Sequence, residues 1–221
     1  MRTVVFDLDG TLADTSGDLI AAANACFRML GEGDLLDPVR DAGTALRGGK
    51  AMLTLGFERL GRDGVPLLAD RHYRDLLDAY ERDIAVHTVF YPAALDTVDD
   101  LRRAGYRVAI CTNKPEYLAR QLMAAMGAAA AFDALIGADT LSVRKPDPEP
   151  LREAARRAGG DPGRCLLVGD TITDRETARA AGVPSVLVTF GPNGREVAAL
   201  SPEATIDRFE DLPGVVRGLI G

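Results

Sequence analysis

The sequence predicts an α/β protein: a doubly wound, parallel sheet with an α-helical cap domain inserted after the first strand. Three observations carry this. Short apolar runs recur along the chain without polar alternation. Helical patterns separate them. One long stretch, residues 15–85, holds helical patterns and no convincing strand. Strands covered on both faces read as continuous apolar runs, and strand–helix alternation builds parallel sheets.

The first run is Thr3-Val4-Val5-Phe6. After it, Thr15-Ser16-Gly17-Asp18 resembles a helix start, with Asp18 favouring the N-terminal dipole. Ile20, Ala23, Phe27 and Leu30 form its apolar stripe, and Gly31 stops it. Further helical patterns cover Ala45 to Leu60 and Leu67 to Arg82. The alternation then resumes. Helices are expected over Ala93 to Ala104, Glu116 to Met126, Asp147 to Ala158 and Asp174 to Ala181. Strands are expected at 108–111, 134–136, 166–168 and 186–188. The domain reading is therefore a core of residues 1–14 and 86–221, with a cap of residues 15–85.

Composition narrows the function. The chain has 221 residues, 47% hydrophobic and 27% charged, ordinary for a soluble globular protein. No apolar run approaches a membrane span, and the N-terminus has no signal-peptide layout. A net charge of -7 without a basic cluster argues against a nucleic-acid partner. Cys26, Cys111 and Cys165 are widely spaced, which suggests neither disulfides nor zinc, and a cytoplasmic protein. Of 26 basic residues only Lys50, Lys114 and Lys145 are lysine. Either this is chance, or those positions need a compact, rotatable ammonium.

Ligands of open α/β sheets bind at the carboxyl ends of the strands. Those ends here are Asp7-Leu8-Asp9, Thr112-Asn113-Lys114 and Gly169-Asp170-Thr171, with Lys145 in a loop R-K-P-D-P and Asp174 four residues after Asp170. Clustered carboxylates raise one another's pKa unless a cation neutralises them. All-oxygen ligands favour a hard ion, and Mg²⁺ is the usual one beside phosphate. Thr112, Lys145 and backbone N–H groups near Leu8, Asp9 and Asn113 would hold the phosphate. One acid attacks phosphorus and another moves protons. A calcium loop is excluded by Leu12 where an EF-hand needs glycine, and G-T-A-L-R-G-G-K at 43–50 misses the Walker A pattern.

D-L-D-G-T at 7–11, Thr112, Lys145 and G-D-T-I-T-D at 169–174 together resemble the haloacid dehalogenase superfamily over essentially the whole chain. V-F-Y-P-A-A-L-D-T-V-D-D-L at 89–101 and T-D-R-E-T-A-R-A-A-G at 173–182 look like its phosphoglycolate phosphatase group, which carries a helical cap. Tyr91-Pro92-Ala93 stands where that group commonly has Pro-Gly, and G-P-N-G at 191–194 where it has G-Y.

The resemblance implies a Rossmann-like core and a set of roles. Asp7 is the nucleophile and a Mg²⁺ ligand. Asp9 is the general acid/base and offers its backbone carbonyl to the metal. Thr112 binds the phosphoryl group with Asn113 beside it, and Lys145 neutralises nucleophile and phosphoryl charge. Asp170 ligates Mg²⁺, and Asp174 supports the metal through water or Lys145. Asp9 sets the chain apart from the dehalogenases and phosphonatases, which lack an acid there, and from the transport ATPases, which carry threonine.

The cap is expected to choose the substrate. Arg47 and Lys50 flank Gly48-Gly49 between cap helices and are candidates to grip a carboxylate or second phosphate. The alternative for them is a solvated helix connection, and for Lys114 an exposed loop cation. The expected activity is Mg²⁺-dependent hydrolysis of a small anionic phosphate ester, first of all 2-phosphoglycolate, by a monomer or homodimer. The alternatives are a sugar-phosphate phosphatase, a β-phosphoglucomutase-like enzyme and a non-catalytic regulatory binding protein.

Overall fold

The computed structural model describes residues 1–221. By internal packing the chain divides into two compact units, residues 1–14 with 90–221, and residues 15–89.

The larger unit is built on a six-stranded sheet in which every pair is parallel. Its strands are β1 (Thr3–Phe6), β4 (Arg107–Cys111), β5 (Ala134–Ile136), β6 (Cys165–Gly169), β7 (Ser185–Val188) and β8 (Ala204–Ile206), while the short β2 (Ala13–Asp14) and β3 (Val89–Phe90) lie outside this sheet. The order β5-β4-β1-β6-β7-β8 places β1 where the winding reverses, the crevice that open α/β sheets use for ligands. Phe6 stands opposite both Ile110 and Val168, so the three central strands end nearly level. One or two residues further along them come Asp7, Thr112 and Asp170.

The apolar runs make these strands because both sheet faces are covered. Val5, Ala109, Cys111 and Leu167 pack against Leu151, Ala154, Ala155 and Ala178. The latter come from α7 (Glu149–Arg157) and α8 (Ile172–Ala181). On β4 and β6 also pack α5 (Ala94–Arg103) and α9 (Leu212–Ile220), which touch each other, and α6 (Glu116–Ala125) packs on β5. The short strands β2 (Ala13–Asp14) and β3 (Val89–Phe90) pair as a two-stranded ribbon.

The smaller unit is helical: α1 (Ser16–Met29), α2 (Ala42–Ala45), α3 (Gly49–Arg59) and α4 (Val65–Arg82). The single helix expected over Ala45 to Leu60 is broken. Gly48 has φ 98°, which no residue inside an α-helix adopts, so α3 starts after it. Arg47 therefore lies in the turn, while Lys50 belongs to the first turn of α3. Inside this unit Asp18 accepts hydrogen bonds from His87 N (2.9 Å), Thr88 N (2.8 Å) and Thr88 Oγ1 (2.7 Å). Its carboxylate thus ties the start of α1 to the segment by which the chain leaves the unit.

Candidate active site

The site is assembled by the ends of β1, β4 and β6 and by the loop before α7. Asp7 follows β1 directly, and its N–H donates to Val168 O at 2.9 Å, which anchors the turn to β6. Its Oδ1 accepts from Leu8 N at 2.7 Å, and its Oδ2 lies 3.0 Å from Lys145 Nζ. The Leu8 N–H, expected to face a phosphate, is thus engaged by Asp7 itself.

Lys145 is buried between two acids. Its ammonium donates to Asp174 Oδ1 at 2.6 Å as well as meeting Asp7. The other oxygen of Asp174 accepts from Thr171 Oγ1 (2.6 Å), Thr171 N (3.1 Å) and Asp170 N (3.3 Å). Thr171 and Asp174 form the capping box of α8. The helix expected to open at Asp174 therefore opens at Ile172, and Asp174 is its third residue. Both oxygens of Asp174 are held by protein donors, so it orients Lys145 and the 170–171 turn.

Asp170 is fully buried. Thr11 Oγ1 donates to its Oδ1 at 2.8 Å, and Asn193 Nδ2 donates to its backbone carbonyl at 2.9 Å. Its Oδ2 is buried and accepts no hydrogen bond. Gly10, at φ 79°, turns the chain beside it; a Cβ there would stand 2.6 Å from that same Oδ2.

Carboxylate oxygens of Asp7, Asp170 and Asp174 all lie within 4.8 Å of one another. A buried carboxylate oxygen with no donor is costly unless a cation meets it. The orphaned Asp170 Oδ2, together with a donor set made only of oxygen, suits a hard divalent cation. The protonation states agree. Burial pushes Asp7 up to about 7, against the pull of Lys145 and with Asp174 and Asp9 adding to the rise. Burial, then Asp174 and Asp7, push Asp170 well above the ordinary carboxylate range. Burial works against the charge of Lys145, yet Asp174 and Asp7 hold its ammonium above the ordinary value.

Asp9 stands apart from this cluster. Lys114 Nζ donates to its Oδ1 at 2.9 Å and its Oδ2 at 3.1 Å. Lys114 is not the exposed loop cation that one sequence reading allows; its side chain is 4% exposed. Thr112 is buried at the end of β4, and its Oγ1 accepts from Lys114 N at 3.2 Å. Asn113 Nδ2 donates to the carbonyl of Lys145 at 3.0 Å, joining the β4 turn to the lysine loop.

Arg47 and Lys50 lie in the helical unit. Arg47 Nη2 donates to Thr44 Oγ1 at 3.0 Å. Lys50 pairs with Asp70 at 2.5 Å and lies 5.4 Å from the centre of the Tyr73 ring.

Sequence reasoning placed Thr171 at the site edge without a role, gave none to Thr11 or Asn193, and did not pair Lys114 with Asp9. Thr11 and Thr171 lie inside the quoted motifs, so their position was visible. Asn193 lies in the G-P-N-G stretch at 191–194, but it is 23 residues from the carbonyl it meets, and nothing local ties it to Asp170.

Comparison with known proteins agrees with this architecture. A family model described as haloacid dehalogenase-like hydrolase matches residues 1–182. A phosphoglycolate phosphatase of Mesorhizobium japonicum is 40% identical over 212 residues, covering 95% of this chain and 92% of that protein. One of Caulobacter vibrioides is 36% identical over 218 residues, covering 96% and 89%. The crystal structure of a "predicted phosphoglycolate phosphatase" from Haemophilus somnus 129pt superposes with a TM-score of 0.84 over 97% of both chains, at 23% identity, and so shares the fold. With the family model spanning four fifths of its length, the chain belongs to the haloacid dehalogenase-like hydrolase family.

Proposed function

We propose that this protein is a Mg²⁺-dependent phosphomonoester hydrolase that acts on 2-phosphoglycolate through an aspartyl phosphate on Asp7. The observation that carries the reading is the placement of Asp7: one oxygen is held by Leu8 N, the other faces Lys145, and a second acid, Asp9, follows two residues later. The substrate follows the names of the Mesorhizobium and Caulobacter relatives, at 36–40% identity over nearly the whole chain.

The steps use the chain's own groups. Thr112 donates its hydroxyl to a phosphoryl oxygen, and Lys145 offsets the charge on nucleophile and phosphoryl group. A carboxylate oxygen of Asp7 attacks phosphorus, the ester P–O bond breaks, and the leaving oxygen takes a proton from Asp9. Asp9 then takes a proton from water. The water oxygen attacks phosphorus, the bond to Asp7 breaks, and inorganic phosphate leaves. Mg²⁺, held by Asp7, Asp170 and the Asp9 carbonyl with Asp174 behind them, would supply positive charge to the phosphoryl oxygens. No helix is long and apolar enough to cross a membrane. The three free, buried cysteines fit a reducing cytoplasm.

Phosphate release from a panel of esters, with Mg²⁺ and with EDTA, tests this. The panel holds 2-phosphoglycolate, glucose 1- and 6-phosphates and nucleoside monophosphates, with pyrophosphate as an anhydride control. Metal-dependent release strongest from 2-phosphoglycolate is the expected result. Release from none would end the hydrolase reading, and a flat profile would end the choice of substrate.

A further inference from the structure

We propose that Lys114 is a specificity-determining residue whose ammonium takes a substrate carboxylate carried one carbon from the ester oxygen. The inference rests on the phosphatase reading above and names the group that selects its substrate.

The geometry starts from Asp9. To protonate the leaving oxygen, Asp9 must touch it. In 2-phosphoglycolate a single methylene joins that oxygen to the carboxylate. A cation for the carboxylate therefore has to stand beside Asp9. Lys114 is that cation, with Nζ 2.9 and 3.1 Å from the two Asp9 oxygens.

Lys114 is also held in place from both sides of its peptide. Its N–H donates to Thr112 Oγ1 at 3.2 Å, and its carbonyl accepts from Ala138 N at 2.9 Å. The backbone that carries the ammonium thus belongs to the same turn as Thr112, the proposed phosphate ligand. An ammonium has three rotatable donors and can serve Asp9 and a second carboxylate at once. Lysine stands here in a chain that uses it at only three of 26 basic positions. The other two lysines have other partners: Lys145 is enclosed by Asp7 and Asp174, and Lys50 is paired with Asp70.

The test compares two esters that differ only in this group: 2-phosphoglycolate, and ethyl phosphate, which has a methyl in place of the carboxylate. Both are measured with the full-length protein in Mg²⁺. Wild type is expected to prefer 2-phosphoglycolate at least tenfold in kcat/KM. In Lys114→Met that preference falls at least tenfold, mainly through a higher KM for 2-phosphoglycolate, while kcat falls for both esters as Asp9 loses its partner. Lys114→Gln, which keeps a donor for Asp9 and removes the charge, is the second variant and should lose the preference in the same way. An unchanged preference in either folded variant would show that Lys114 serves Asp9 alone and would overturn the proposal. So would a wild type that hydrolyses both esters equally, whether or not the variants fold. A wild type that hydrolyses neither ester removes the 2-phosphoglycolate reading on which the proposal rests, and the proposal with it.

Discussion

Lys145 Nζ lies 2.6 Å from Asp174 Oδ1, and the two side chains are 1% and 0% exposed. Asp7 Oδ2 is 3.0 Å from the same ammonium. One cation therefore joins the proposed nucleophile to the capping box of α8. Removing one member of a buried ion pair leaves the other charge without a partner, at a cost of about 3–5 kcal/mol.

Lys145→Met should accordingly affect both activity and stability. Turnover is expected to fall by roughly 10²–10³-fold, the effect of removing one preorganised charge from a developing anion. In EDTA the variant should lose about 3–5 kcal/mol of unfolding free energy, because three acids then share no internal cation. Millimolar Mg²⁺ should recover part of that loss, since a ligand that binds only the folded state stabilises it. Urea titrations of both proteins, with and without metal, read this. Equal stability of wild type and variant in EDTA would contradict a buried pair.

The raised Asp7 value predicts an unusual pH dependence. An acid whose folded value is about 7, against an ordinary 3.8, binds its proton more tightly in the folded state. Its contribution favours folding below the ordinary value and is lost as pH rises from about 4 to about 7. Asp170 is raised too and acts in the same direction. The metal-free protein should therefore lose stability across this window, and Mg²⁺ should flatten the fall. Melting temperatures from pH 4 to 8 in EDTA and in Mg²⁺ are the measurement. Parallel curves would count against a metal on these carboxylates.

Gly10→Ala should act on the metal rather than on the chemistry. The new Cβ would meet Asp170 Oδ2 at 2.6 Å, and φ 79° strains any residue with a side chain. We expect the Kd for Mg²⁺, measured by calorimetry, to rise at least tenfold. An unchanged Kd would mean that Asp170 Oδ2 does not face the ion.

Much of this was legible because it is local or periodic. Five of the six sheet strands are continuous apolar runs, and the carboxyl ends of β1 and β6 carry the acids of the site. Once the sheet is parallel, register brings Asp7, Thr112 and Asp170 to one edge. β8 escaped notice because only Ile206 of its three residues is buried, as suits an edge strand. α9 carries Pro213, Gly214 and Gly218, which mask a helical pattern. The pairings inside the site were not legible for a different reason. Thr11 meets Asp170 across 159 residues and Lys114 meets Asp9 across 105, and no sequence pattern records such distances.

Asp18 shows the same limit, and it yields the last prediction. Its sequence position supports only a helix-dipole role, worth about 0.3–1 kcal/mol. Its carboxylate accepts three hydrogen bonds from residues 87 and 88, and the residue is 2% exposed. Asp18→Ala leaves the N–H and the hydroxyl of buried Thr88 without their acceptor, at about 1–3 kcal/mol for each group left unsatisfied. The loss should therefore exceed the dipole effect severalfold. Hydrogen exchange should localise it: the amides of His87 and Thr88 lose protection in the variant, while those of β1 and β6 keep theirs. Retained protection at His87 and Thr88, or a loss no larger than a dipole interaction, would mean that Asp18 does not hold this segment.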